Sequence, residues 1–344
     1  MADCLPDAWG QKIARREFSK HNWGKPTAMP LLAWRGSGGL GALQFFPALT
    51  ENFQSEKFEE IGAAALAKNA AEIERGEAEE VLPQLAKGGG TPGGALPKIL
   101  ILHYSDGTIK VASPDGIGEP CILKFDQSPN NTKAPEEHIY GRMAGMAGIR
   151  SVSTKFISED GSGGRRHLLV KRFDGPDPKT PEKRLHFHTS SGMLHKDPGE
   201  MDYSDLYRII IRLGCDPEEL REVTRRMIFN VLSSNHDDHG KNHAFAYDEE
   251  SRGWALTPAY DMTYAEGILE RGTSIMGEVW PSVKTMMSLS EQVGISNDEF
   301  MEIFEKVKQA LDQWPDIAAH EKIPSGIIKE IRDRHLTIQK RIQE

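Results

Sequence analysis

Three short apolar runs lie close together in this chain: ILIL at residues 99–102, PCILKF at 120–125 and HLLVKRF at 167–173. Period two places Ile122 and Lys124 on one face of the second run and Leu123 on the other. Strands that alternate with helices build a parallel sheet, whereas strands gathered in one stretch and separated by turns build an antiparallel one. One helix interrupts them: Pro135 suits the first turn of PEEHIYGRMAGMAG, Ile139, Met143 and Met146 mark its apolar face, and Gly148 is its stop. The other long helical stripes follow the strands. Leu220, Val223, Met227, Val231 and Leu232 repeat at helical spacing, as do Phe300, Ile303, Phe304, Val307 and Leu311, then Ile327, Ile328, Ile331 and Ile338. Ser296 and Glu299 are spaced for a capping box ahead of the second stripe. The expected class is α+β.

Ahead of the strands, AKGGGTPGGALPKILILH (86–103) places five glycines and two prolines before the first apolar run. Glycine at that density gives a turn or loop whose backbone another group can approach closely. Nearer the amino terminus, EKFEEIGAAALAKNAAEIERGE reads as a helix, with a small irregular or β-containing unit as its companion. FDGPDPKTPEKRLHF reads as an exposed connection. The predicted organisation is an amino-terminal accessory subdomain over 1–84, a β-rich lobe over 85–175 and a helical lobe over 176–344.

A chain of 344 residues can bury a core without metal or disulfide staples. Its net charge of -9 argues against a surface built as a whole for nucleic acid. Cys4, Cys121 and Cys215 are too scattered for a disulfide framework or a thiolate zinc motif, which favours a reducing compartment. MADCLPDAWGQKIARR has no apolar signal core, and no run approaches the ~18 apolar residues of a membrane span. A cytoplasmic address and no membrane contact are expected.

The densest polar stretch is NHDDHGKNHAF, 235–245. Its residue types suit a solvated turn. His236, Asp237, Asp238 and His239 also carry metal-ligating atoms, but four adjacent side chains rarely aim at one ion, so a cage needs ligands from elsewhere. A third reading uses spacing. Asp237 and Asn242 stand five apart, the interval of the aspartate and asparagine in the protein-kinase pattern H-R-D-L-x-x-x-N. Asp237 would accept a hydroxyl proton, and the Asn242 amide oxygen would bind a divalent ion held by nucleotide phosphates.

That spacing is weak alone and gains weight from its helpers. Asp261 in LTPAYDM follows an apolar run that could aim a hard carboxylate at magnesium, although an aspartate opening a turn is equally ordinary. Lys124 is central in CILKFD, where a strand would fix an ammonium over phosphate oxygens; an edge lysine in solvent is the common alternative. Glu137, with Glu136 beside it, could orient Lys124 from the following helix. Gly93, Gly94 and Lys98 fit neither the dinucleotide nor the Walker signature, yet backbone N–H groups in such a loop can cradle phosphates. Glycine loop, strand lysine, helix glutamate, Asp with Asn five later, then another Asp: the combined order points to ATP-dependent phosphoryl transfer.

At this point the chain resembles the HipA family of serine/threonine kinases, the toxin half of a bacterial toxin–antitoxin system. RGSGGLGALQFFP, GGALPK, CILKF, EEHIYGRMAGMAGI, LLVKRFD, RLHF, FNVLSSNHDDHGKN and LTPAYDM follow in the family's order. The resemblance implies a two-lobed protein-kinase-like fold with an amino-terminal addition. It implies ATP and Mg2+ as cofactors, Asp237 as catalytic base, and Asn242 and Asp261 as metal ligands. Lys124 would bind ATP phosphates with Glu137 as its orienter, and Gly93, Gly94, Ala95 and Lys98 would form the phosphate loop. His239 and Lys241 match positions that support that loop or contact phosphate. Thr91 aligns with a serine that family members autophosphorylate. Lys171 stands where family members often have a carboxylate. The implied partners are a HipB-like DNA-binding antitoxin, through which DNA contact would mainly come, and an aminoacyl-tRNA synthetase as protein substrate. Two other functions compete: a small-molecule kinase resembling aminoglycoside phosphotransferases, whose H-G-D-x-H-x-x-N loop shares the spacing of Asp237, His239 and Asn242, and an inactive antitoxin-binding module.

Overall fold

The clustered apolar runs pair into one antiparallel sheet. Strands β1 (Lys98–His103), β2 (Ile109–Lys110), β3 (Glu119–Lys124), β4 (Thr154–Ser158) and β5 (Arg166–Lys171) lie in the order β2-β1-β3-β5-β4. The computed structural model describes residues 2–49, 62–90, 93–111, 118–159, 164–175, 184–265, 267–268 and 270–343. The chain divides into two compact units, residues 1–134 with 153–186, and residues 135–152 with 187–344.

In the first unit, helices α1 (Ala8–Lys20), α2 (Ala28–Arg35), α3 (Ala63–Arg75) and α4 (Pro83–Gly88) precede the sheet. Among the described residues before Lys98 there is no strand, so of the two expected companions the irregular one holds over 36–49, with helices α1 and α2 ahead of it. The helices follow from the apolar pattern. Trp9, Ile13 and Phe18 of α1 and Leu66, Ala70 and Ile73 of α3 repeat at helical spacing and are buried. They share one core with Ile99, Ile101, Cys121, Leu123 and Leu169 of the sheet. Burying such aliphatic side chains contributes about 1.5–3 kcal/mol each. Lys171 forms a 2.8 Å ion pair with Glu119.

Most of α5 (Lys133–Met146) falls in the second unit, followed there by β6 (His186–Thr189), whose first residue belongs to the first unit, and by α6 (Ser190–Leu194), β7 (Met201–Asp202), α7 (Tyr203–Leu213) and α8 (Glu218–Leu232). Strands β8 (Ala244–Asp248), β9 (Gly253–Leu256) and β10 (Thr273–Ser274) follow. Helices α9 (Val283–Glu291), α10 (Asn297–Leu311), α11 (Trp314–His320) and α12 (Ser325–Arg341) complete it. The predicted stripes of α8 and α10 form the core with Ile331 and Ile338 of α12. Ile139 and Met143 of α5 are buried there, but Met146 is 49% exposed because the helix ends at that point, ahead of Gly148 at φ +85°. Ser296 caps α10 by accepting from the Glu299 N–H, 3.2 Å away. The Glu299 carboxylate turns to Arg221 of α8 and makes an ion pair between the helices.

His335 of α12 lies fully buried, its Nε2 3.0 Å from the Tyr140 hydroxyl, which donates to the Ser233 carbonyl at 2.9 Å. Burial pushes the imidazole down to about 4 from 6.5. A base depressed in the fold stays neutral there and takes up a proton on unfolding. Its contribution is complete above pH 6.5 and is lost as pH falls towards 4, a loss of about 3 kcal/mol. His335→Gln is expected to flatten the stability curve over that window, measured as urea midpoints against pH. An unchanged acid limb would assign it to other groups.

Candidate active site

The carboxylate-rich loop is aimed by the end of α8. The helix closes in a Schellman motif: Asn235 N–H donates to the Asn230 carbonyl at 3.1 Å, Ser234 N–H donates to Val231 at 3.3 Å, and Ser234 adopts φ +54°. The two aspartates that follow point to opposite environments. The Asp237 side chain is 53% exposed, and its Oδ1 lies 3.9 Å from His239 Nε2. Asp238 is buried at 1% exposure and accepts from Arg271 at 2.9 Å, from the Tyr203 hydroxyl at 2.9 Å and from the Thr273 N–H at 3.4 Å.

Around Asp238 the network closes on itself. Asn230 donates to the Tyr203 hydroxyl and accepts from Asn235, and the Arg271 guanidinium donates to the carbonyls of Asn230 and Asn235. Burial beside the Asp238 charge holds the Tyr203 hydroxyl well above its ordinary value, so it donates. Gly272 donates to the His236 carbonyl at 2.8 Å, and a Cβ there would lie 2.7 Å from the His239 nitrogen, so a glycine permits the close approach.

Asn242 is positioned by the loop's own backbone. Its Nδ2 donates to the Asp237 carbonyl at 2.7 Å and its N–H donates to His239 at 2.8 Å. With Nδ2 so engaged, the amide oxygen is the atom left to meet a cation. The Asp261 segment is tied in from two sides. The Tyr260 hydroxyl donates to the Lys241 carbonyl at 2.7 Å, and Ala259 exchanges backbone hydrogen bonds with Arg150 and Val152 beyond α5. Tyr260 and Met262, either side of Asp261, line one small cavity with Asn242 and Asp238. Asp261 itself adopts φ +54°, a left-handed conformation that aspartate tolerates better than most residues. Deep burial pushes His243, which follows Asn242, down to about 4, so it is neutral.

Among the described residues no group of three His, Cys, Asp or Glu side chains could hold a metal. The donor set offered by Asn242 and Asp261, an amide oxygen and a carboxylate, suits Mg2+ whose remaining positions come from phosphate and water.

In the first unit, β1 and β3 set Lys98 directly opposite Lys124. Directly paired side chains share a sheet face, so both lysine side chains leave the sheet on the side opposite the core residues Ile99 and Leu123. Lys98 is buried, and its Nζ lies 2.3 Å from where a Cβ of Gly94 would be, which a side chain at φ +103° would block. Ala95 is exposed. The Gly94 N–H donates to the Asp7 carboxylate at 2.9 Å, so a phosphate would have to take over that donor. Asp126, just after β3, accepts from Ser128 and from the Ala134 N–H of α5, fixing where the helix starts. Glu137 is partly exposed in the first turns of α5, and Glu136 before it is buried. Thr91 lies outside the described residues.

Sequence reasoning missed Arg271, Tyr203, Asn230 and Thr273. Each lies at least eight residues from Asp238 and carries no local motif, so nothing in the sequence marks them as its partners.

The profile of the HipA-like C-terminal domain matches residues 90–314. Over 169 residues the chain is 28% identical to a Sinorhizobium fredii protein named "Putative kinase Y4dM", an alignment covering 44% of this chain and 40% of that protein. The chain thus spans about two fifths of that relative's length. A chain from the Shewanella oneidensis MR-1 toxin–antitoxin complex of HipA, HipB and operator DNA shares the fold, with a TM-score of 0.69 and 16% identity over 96% of this chain and 82% of that one. With the family profile covering most of its length, the chain belongs to the HipA family.

Proposed function

We propose that the chain is an ATP-dependent serine/threonine protein kinase of a toxin–antitoxin system. The observation that carries this reading is the division of labour in the loop: Asp237 is exposed on a backbone that Asn242 braces, while its neighbour Asp238 is consumed by a buried arginine. Asp237 accepts the proton of the attacking hydroxyl. Asn242 and Asp261 would hold Mg2+, which when bound neutralises charge on the ATP phosphates. Lys98 and Lys124, opposite each other, supply the positive field for those phosphates, with Glu137 orienting Lys124 and Gly93, Gly94 and Ala95 lining the loop. His239 and Lys241 brace the loop: His239 stands beside Asp237, and the Lys241 carbonyl accepts from Tyr260.

The substrate in this reading is an aminoacyl-tRNA synthetase, whose phosphorylation would inhibit translation, and the partner is a HipB-like antitoxin that carries the main DNA contacts. A HipA-HipB-DNA assembly of the structural relative supports the antitoxin. No helix among the described residues is long and apolar enough to cross a membrane, in keeping with action in the cytoplasm. Incubation with labelled ATP, followed by separation of proteins from metabolites, tests the proposal. Label in proteins supports it; label only in small molecules replaces it with a metabolite kinase.

Thr91, in the glycine-rich loop, is proposed as the autophosphorylation site. A phosphate there would compete with ATP for the loop's donors. Phosphorylated protein is expected to bind ATP at least about tenfold more weakly, read by calorimetry. Full affinity in the phosphorylated form would sink this assignment.

A further inference from the structure

Behind the loop, the segment following Arg271 and the end of α12 enclose a cavity of about 180 Å³. Its floor is apolar, made by Val231 of α8 and Ile338 and Ile342 at the carboxyl end of the fold, and Trp280 forms a wall. Arg271 and Arg341 bring positive charge to it and Glu278 a carboxylate. An apolar cavity of roughly 150 Å³ accepts benzene, so a leucine-sized or phenylalanine-sized side chain fits.

The polar lining is what separates this cavity from a packing gap. The Arg271 side chain is only 2% exposed, and its Nε has no hydrogen-bond partner among the described residues. Buried donors in that state call for an acceptor. Around Trp280, the Arg341 guanidinium lies 4.3 Å from the ring centroid, Arg334 lies 5.9 Å away, and His236 meets the ring edge-on at 5.1 Å. A bare phosphate would be repelled by Glu278 and would leave the apolar floor uncovered. A neutral hydrocarbon would leave Arg271 Nε unmet.

We propose that this cavity binds a free α-amino acid with an apolar side chain. Its carboxylate meets Arg271 and Arg341, its ammonium meets Glu278, and its side chain covers Val231, Ile338 and Ile342. Arg271 also holds Asp238, next to the proposed base, so an occupant is placed to alter the loop; this second step rests on the kinase reading.

Titration of the full chain with leucine, followed by tryptophan fluorescence and by calorimetry, tests the site. The probes 4-methylpentanoate and leucinamide each remove one charge. Saturable binding of leucine is expected, weakened about tenfold by Glu278→Gln or Arg341→Gln and by loss of either charge on the probe. No binding by either method up to about 10 mM, or equal binding of all three probes, overturns the site. Leucine should change the transfer rate of the unmodified protein and not of Arg341→Gln. Binding without a rate change overturns the coupling. A protein that transfers no phosphoryl group defeats the kinase reading, while the titration still decides the cavity.

Discussion

Asp237→Asn is expected to lower Mg2+-dependent phosphoryl transfer by about 10²- to 10⁴-fold, the range a positioned general base supplies. Folding and ATP binding should hardly change. The side chain is more than half exposed, and it is the residue's carbonyl, unaltered by the substitution, that holds Asn242. Substitutions at such positions usually stay within ~0.5 kcal/mol of stability. Transfer of label from ATP, with thermal denaturation and nucleotide titration on the same samples, checks all three statements. Transfer at the original rate would remove Asp237 from the role of base.

The neighbouring substitution should do the reverse. Asp238→Ala leaves the Arg271 guanidinium buried without its counter-charge and the Tyr203 hydroxyl without its acceptor. Breaking a buried pair from one side costs roughly 3–5 kcal/mol. The expected result is a large drop in the urea midpoint, with activity lost through unfolding rather than chemistry. Asp238→Ala combined with Arg271→Met removes both charges and should recover part of the loss, since a buried pair exchanged for apolar side chains is often close to neutral. If Asp238→Ala were as stable as the parent chain, Asp238 would not anchor Arg271 and Tyr203. Together the two aspartates separate a group held for chemistry from one held for structure, one residue apart.

Much of the fold was legible because burial repeats with the period of the element. The runs at ILIL, PCILKF and HLLVKRF are three strands of the five-stranded sheet, and their clustering favoured an antiparallel arrangement. The stripes of α8, α10 and α12 were legible for the same reason. Capping at Ser296 was readable, but the other half of the box was not, because Glu299 is drawn to Arg221 seventy-eight residues earlier. At the amino terminus the glycine-rich residues 36–49 take the irregular form expected of them, while no strand forms among the described residues there.

The same division runs through the site. By itself the sequence determined the strand and helix that carry Lys124 and Glu137, and the interval between Asp237 and Asn242, because these follow from local periodicity and spacing. Which carboxylate faces solvent is settled by folding, since it depends on where Arg271 and Tyr203 arrive from 33 and 35 residues away. Register did the same for Lys98 and Lys124: backbone pairing of two strands makes neighbours of lysines 26 residues apart. Spacing along the chain fixes which face a side chain takes, but desolvation and pairing act between residues that only folding brings together.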